Sequence, residues 1–243
     1  MKTIGVIPAR YASTRFPAKV LSLLAGKPMI EHVWRKAKKC VQLEDVLIAC
    51  DHPDVFKVAQ GFGAKVVMTD PNHPSGSDRI AEAVKDIDVG VIVNIQGDEP
   101  FIDPKTIDDL ALLLNDDNQC QMGTVIKEIK NDEEFLNPNV VKCVIDASGY
   151  ALYFSRSPIP YNRNTVKPKG LKNYKHLGLY AYRKNFLLTF KDWPKSILES
   201  TEQLEQLRVL EAGHRIKTVI TTSESIAVDT PEDLQKAEEW LKR

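Results

Sequence analysis

Near the start of the chain, Pro8-Ala9-Arg10-Tyr11-Ala12-Ser13-Thr14-Arg15-Phe16-Pro17-Ala18-Lys19 carries three cations and two hydroxyls and no acid. The segment follows a short β-rich run, Thr3–Ile7. In open α/β sheets, ligands bind beyond the carboxyl ends of the strands. A loop there that offers Arg, Lys, Ser and Thr suits a polyphosphate. It matches neither the Gly-x-Gly-x-x-Gly fingerprint nor the Walker pattern. From charge alone, a solvated surface loop is a slightly better explanation.

Two further segments place a carboxylate after an apolar run. Val93-Asn94-Ile95-Gln96-Gly97-Asp98-Glu99-Pro100 ends a strand-like stretch on adjacent acids, and Ile226-Ala227-Val228-Asp229-Thr230-Pro231 precedes a capped helix. Each has a plain explanation, a turn in the first case and a helix cap in the second. Together, Asp98 and Asp229 could supply the one or two carboxylates that a hydrated magnesium ion takes. In Ser75-Gly76-Ser77-Asp78-Arg79, Ser75 or Ser77 can cap a helix, and that helix N-terminus could also touch a base or ribose. His176, Tyr180 and Tyr182 have the spacing of one strand face. Glu202-Gln203-Leu204-Glu205-Gln206-Leu207-Arg208 reads as a polar helical face, solvated by default, whose Gln and Glu could equally read sugar hydroxyls.

Strands and helices must position these groups. Strand-like runs at Thr3–Ile7, Val46–Cys50, Lys65–Met68 and Val89–Ile95 alternate with helical segments at Pro28–Lys39, Pro53–Gln60, Gly76–Ile87 and from Asp103-Pro104 through residue 114. Gly61 or Gly63 closes the second helix. The alternation predicts a mostly parallel sheet with helices on both faces. Beyond residue 114 the pattern turns β-rich, with strands at Gln121–Lys127, Val140–Asp146, Tyr150–Phe154, His176–Tyr182 and Ile216–Ile220. Ser157–Tyr174 reads as a basic surface loop or lid. A helix is predicted over Glu199–Glu211, stopped by Gly213. A last helix opens on Thr230-Pro231-Glu232-Asp233, which resembles a capping box with Asp for Glu. The whole chain, residues 1–243, is read as a single α/β domain with a smaller β-rich part.

The chain's 33 Lys and Arg balance its 33 Asp and Glu. Zero net charge argues against a dedicated nucleic-acid or anionic-membrane surface. No stretch approaches the ~18 apolar residues of a membrane span, and no signal peptide is evident. Cys40, Cys50, Cys120 and Cys143 are scattered without a Cys-x-x-Cys pair, as expected of free thiols in a reducing cytoplasm.

Taken in order, these motifs resemble one family. Ile7-Pro-Ala-Arg-Tyr-Ala-Ser-Thr-Arg-Phe-Pro-Ala-Lys19, Ser75-Gly-Ser-Asp-Arg79, Asn94-Ile-Gln-Gly-Asp-Glu-Pro100, Ala151-Leu-Tyr-Phe-Ser-Arg-Ser-Pro-Ile-Pro160, His176-Leu-Gly, Glu202-Gln-Leu-Glu-Gln-Leu-Arg208 and Val228-Asp-Thr-Pro-Glu-Asp233 resemble the CMP-Kdo synthetases, the 3-deoxy-manno-octulosonate (Kdo) cytidylyltransferases. The resemblance implies a nucleotide-diphospho-sugar-transferase-like α/β fold, with the smaller β-rich part serving dimerisation and sugar binding. It also implies a homodimer, magnesium, and CTP and Kdo as substrates, for lipopolysaccharide biosynthesis. It implies that Arg10, Ser13, Thr14, Arg15 and Lys19 bind the triphosphate, with Lys19, Arg15 and Arg10 catalytic, and that Asp98 and Asp229 hold magnesium. It further implies that Ser75, Arg79, Gln96 and Asp98 lie near the nucleotide, and that Arg156, His176, Tyr180, Gln203 and Glu205 line the sugar site. Two departures stand out. The family's Pro-Gly-Lys is Pro17-Ala18-Lys19 here, so either the backbone at Ala18 is ordinary or the loop is slightly reshaped. The family's Ser-Gly-Thr-Glu-Arg is Ser75-Gly76-Ser77-Asp78-Arg79 here, with a shorter acid. Rival readings are the same chemistry on 8-amino-Kdo or a sialic acid, or a binding module without catalysis.

Overall fold

The computed structural model describes residues 1–12, 16–117, 119–163 and 168–241. The first half runs β1 (Thr3–Ala9), the short pair β2 (Leu23–Leu24) and β3 (Lys27–Pro28), α1 (Met29–Ala37), β4 (Asp45–Cys50), α2 (Pro53–Gly61), β5 (Lys65–Met68), α3 (Gly76–Val84), β6 (Val91–Asn94) and α4 (Pro104–Asp116). The second half runs β7 (Met122–Glu128), α5 (Asp132–Leu136), β8 (Lys142–Ile145), β9 (Ala151–Ser155), β10 (Tyr174–Arg183), α6 (Lys184–Phe190), α7 (Ile197–Glu202), α8 (Gln206–Glu211), β11 (Ile216–Thr221) and α9 (Pro231–Leu241).

The main sheet has the order β11-β7-β10-β6-β1-β4-β5, with β8 and β9 attached beside β10. β1 pairs in parallel with β4 and β6, and β4 with β5. β10 runs antiparallel to both β6 and β7, while β11 is parallel to β7. The mostly parallel sheet expected from the alternating pattern is therefore present, with β10 inserted against the grain.

Side chains alternate across the strands, so the sheet builds an apolar layer on each face. Ile7, Ile48 and Val93 pack with α1, α2 and α4 residues such as Val33, Val55 and Leu110. Val6, Leu47 and Ile92 pack on the other side with Ile80 of α3, Leu187 of α6 and Leu207 of α8. A third, smaller cluster joins Leu24, Met29, Phe101, Val228 and Ala237. That cluster docks α9 against the short β2–β3 pair and so carries the segment before α9 back to the sheet's edge.

Two expectations need correction. The helix read over Glu199–Glu211 is two helices, α7 and α8, because Gln203 sits at φ +53° in the left-handed region. The segment after β10 is helical, α6, and no helix was expected there. Other boundaries fall within two or three residues. Ser75, not Ser77, caps α3: its Oγ accepts from Asp78 N at 3.2 Å. Gly63, at φ +87°, supplies the left-handed turn after α2. Thr230 and Asp233 do form a capping pair, Asp233 N donating to Thr230 Oγ1 at 3.2 Å and Thr230 N to Asp233 Oδ2 at 3.1 Å.

Candidate active site

The carboxyl ends of β1 and β6 lie side by side. Gly97 follows β6, and a Cβ there would stand 3.1 Å from Pro8 O, so the residue type lets the two strand ends close up. Asp98 follows immediately. Val228 N donates to Asp98 O at 2.9 Å, which ties the segment before α9 to the same edge and brings Asp229 in. Lys19 arrives from the first loop through a 3-10 turn at Lys19–Leu21. Its Nζ lies 2.6 Å from Asp98 Oδ2 and 2.9 Å from Asp229 Oδ1. Three groups far apart in sequence thus meet at one point.

Lys19 is buried, and burial is the largest influence on its ammonium, pulling the pKa down. The combined charges and hydrogen bonds of Asp98 and Asp229 outweigh that pull and leave it above the ordinary lysine value. Glu99, beside them, is pushed up to about 7, first by burial and then by the charge of Asp98, with a Ser225 hydroxyl bond at 3.2 Å opposing. The acid pair Asp98-Glu99 was visible in the sequence, but Glu99 was not assigned a part.

Two carboxylate oxygens converging on one cationic nitrogen are a donor set that suits magnesium, which takes one or two carboxylates and fills the rest of its octahedron with water and phosphate oxygens. Among the described residues, no cluster of three or more His, Cys, Asp or Glu forms a closed protein cage. The residues present fit a hydrated, substrate-shared ion.

Arg10 is exposed at the end of β1. Ser13, Thr14 and Arg15 lie outside the described residues. Ala18 takes φ +53° and ψ +26°. The backbone there is left-handed despite the side chain, so the first of the two alternatives raised by the sequence is excluded.

Ser75 Oγ caps α3 by accepting from Asp78 N at 3.2 Å, and Ser77 Oγ donates to Glu205 Oε1 at 2.5 Å. Burial raises the Glu205 pKa, with Ser77 and Ser75 opposing. Arg79 is wholly buried and its guanidinium engages Asp51, Thr69 and the Asp70 carbonyl. Gln96 Nε2 donates to Gly178 O at 3.0 Å, across to β10.

On β10, His176 and Tyr180 do share a face, with ring centroids 5.3 Å apart. Thr124 Oγ1 donates to Leu179 O at 2.9 Å, so it must accept from His176 Nε2–H, also at 2.9 Å. That assigns the Nε2–H tautomer. Burial drives the His176 pKa down to about 3, so the ring is neutral. Tyr180 OH donates to Gln206 Oε1 at 3.1 Å, which links β10 to the residue after Glu205.

A cleft of about 320 Å³ opens between the start of α3 and the α7–α8 turn, lined in part by Ser75, Asp78, Glu199, Gln203, Glu205 and Arg208. The structure therefore brings Ser75, Gln203 and Glu205 together. It places Arg156 differently: Nε donates to Glu202 O at 2.7 Å and Nη1 to Pro138 O at 3.1 Å. Here Arg156 fixes the Glu202–Gln203 turn rather than facing the cleft.

Comparison with known proteins gives this geometry a family. A model of the family described as cytidylyltransferase matches residues 4–216. The chain belongs to the cytidylyltransferase family. Among the curated cytidylyltransferases it resembles, one from Geobacter sulfurreducens is 46% identical over all of both chains. One from Geobacter metallireducens is 49% identical over 100% of this chain and 99% of its own. Both carry the name 3-deoxy-manno-octulosonate cytidylyltransferase. A solved CMP:2-keto-3-deoxy-manno-octonic acid synthetase complexed with CTP superimposes at a TM-score of 0.94, with 39% identity, covering 100% of this chain and 99% of that one. The fold extends further: a 4-diphosphocytidyl-2C-methyl-D-erythritol synthase from Anaerococcus prevotii, 14% identical, superimposes at a TM-score of 0.65 over 100% of this chain and 97% of that one. This is the nucleotide-diphospho-sugar-transferase-like fold that the sequence motifs implied.

Proposed function

We propose that this cytidylyltransferase transfers CMP from CTP to Kdo, giving CMP-Kdo and pyrophosphate for lipopolysaccharide biosynthesis. On this reading it depends on magnesium and works as a single-domain subunit of a cytoplasmic homodimer. The observation that carries the reaction is the meeting of Lys19, Asp98 and Asp229 at the carboxyl edge of the sheet. What supports Kdo as the acceptor is the shared name of full-length relatives at 46% and 49% identity.

The chemistry is a direct displacement. The anomeric hydroxyl of the sugar attacks the α-phosphorus and gives up its proton to solvent, the bond to the α–β bridging oxygen breaks, and pyrophosphate leaves with that electron pair. No protein nucleophile is needed, so the chain's work is to position substrates and neutralise charge. Asp98 and Asp229 would hold magnesium, which supplies charge neutralisation on the phosphates and acidifies a bound hydroxyl. Arg10, Arg15 and Lys19 would bind the triphosphate, and Lys19 and Arg15 would balance the charge that develops on it. Glu205, Gln203, Tyr180 and neutral His176 would orient the sugar through hydrogen bonds, with Gln96 bridging the nucleotide and β10.

The test is pyrophosphate release from CTP and magnesium with Kdo, 8-amino-Kdo, N-acetylneuraminate or no sugar. Release with Kdo alone is expected. Release with the amino sugar alone would move the specificity. CTP binding without release from any sugar would leave a binding module.

A further inference from the structure

Asp51 stands just past β4, and its side chain is 7% exposed. It carries no motif, yet both of its oxygens are spoken for. Oδ2 accepts from Arg79 Nη2 at 3.0 Å, and Oδ1 accepts from the backbone N–H of Tyr11 at 2.8 Å. Arg79, wholly buried, is itself fixed by Thr69 Oγ1 and the Asp70 carbonyl. Tyr11 is clamped in two more places. Its ring stacks on His52 with centroids 3.8 Å apart and planes 13° apart, and its carbonyl accepts from Ala18 N at 3.1 Å. Ala18 then turns left-handed into Lys19.

A buried ion pair is costly to desolvate, and replacing one by apolar groups is often neutral for stability. This pair reaches the residue beside Arg10 and, one hydrogen bond further, the turn that delivers Lys19. We propose that Asp51 is a positioning residue for the transfer. Arg79 holds its carboxylate, the carboxylate holds Tyr11, and Tyr11 sets the backbone of Arg10 and Ala18, so that Lys19 is presented to Asp98, Asp229 and the nucleotide. Arg79 thus serves the nucleotide site through Asp51, at one remove. This rests on the reading of the Arg10–Lys19 loop as the triphosphate site.

Charge is the essential property. In Asp51→Asn an amide oxygen could still accept from Tyr11, but its NH2 would then face the Arg79 guanidinium, donor against donor. The pair cannot be satisfied on both sides, and the loop must shift.

The experiment is a double-mutant cycle on the full-length protein, with Asp51→Asn, Lys19→Gln and both together. Calorimetry measures CTP affinity without sugar, and steady-state kinetics follow for the active fraction. Asp51→Asn is expected to weaken CTP binding and lower kcat about 10-fold each, since small misplacements carry such losses, while KM for the sugar stays put. In the Lys19→Gln background the same change should cost less than about 3-fold, because the residues act as one unit. Losses that multiply independently, or an Asp51→Asn enzyme with wild-type CTP affinity and kcat, would overturn the proposal. If Asp51→Asn does not fold, Tyr11→Ala keeps the buried pair and removes the ring clamp. It should raise KM for CTP and leave that for the sugar, and equal shifts in both would count against the relay. Wild-type protein that binds no CTP would sink the underlying triphosphate reading and the relay with it.

Discussion

The Lys19 ammonium lies 2.6 Å from the Asp98 carboxylate, and Asp229 closes on it from the other side at 2.9 Å. The ammonium therefore takes one oxygen of each carboxylate, and its charge opposes a divalent cation at the same pair. Removing Lys19 takes one positive charge away from both Asp98 and Asp229. Lys19→Met is expected to bind Mn2+ more tightly than wild type in the absence of nucleotide, by about 10-fold, as judged by titration against the ion's electron-spin signal. The same variant should lose ~100-fold or more in kcat. Equal Mn2+ affinity in the two proteins would show that the ammonium does not oppose a cation at Asp98 and Asp229.

Ala18 at φ +53° carries a strain that glycine would not. A left-handed L-residue costs about 1–2 kcal/mol, offset in part by the extra entropy glycine loses on folding. Ala18→Gly is expected to raise stability by up to about 1 kcal/mol in urea titration. A destabilised Ala18→Gly would mean that the Ala18 methyl contributes packing that outweighs the strain.

His176 gives a pH signature. Its folded pKa is depressed to about 3 by burial, against an ordinary value of 6.5. Between those values the unfolded chain takes a proton that the folded chain refuses, so this residue's share of stability is intact above about pH 6.5 and is lost as pH falls toward about 3. Phe154, Tyr180 and Thr124 face the ring, and none of them carries an acid that could relieve it. Denaturation at about pH 7 and about pH 5 should show a smaller loss for His176→Gln than for wild type. Equal losses would contradict the assignment.

Lys142 is wholly buried at the foot of β8, and its Nζ donates to the carbonyls of Asn137, Val140 and Arg156 at 2.9, 2.6 and 2.5 Å. It closes the hairpin that carries Arg156. Lys142→Met would leave three carbonyls without that donor and should cost about 2–4 kcal/mol in the same urea measurement. A change below about 0.5 kcal/mol would show that water replaces the ammonium there.

Much of this is legible in the sequence. The alternation of β-branched runs with 3.6-period helices foretold the parallel strands β1, β4 and β6, because strands buried on both faces need such runs, and the half-exposed edge strand β5 follows the same alternation. The residue types of the site were legible too, since carboxylates following apolar strands fall at the ligand edge. What stayed hidden depends on contacts between distant segments. β10 enters between β6 and β7 against the strand direction, and nothing local in its sequence encodes that neighbour. Gln203 breaks a helix without glycine or proline; Glu202 meanwhile accepts from Ser155 Oγ at 2.6 Å and Arg156 N at 2.9 Å, and so is held from outside. Asp51 looked like any acid after a strand, and its value lies in Tyr11 and Arg79, residues 40 and 28 positions away.

The most direct test of the account is the fate of the α-phosphorus. CTP labelled there should, with Kdo and magnesium, pass its label into CMP-Kdo as unlabelled pyrophosphate is released. EDTA should stop the transfer, and Asp98→Asn should slow it ~100-fold or more. Label that stays in CTP, or an Asp98→Asn enzyme that turns over like wild type, would contradict the assignment of this site to CMP transfer.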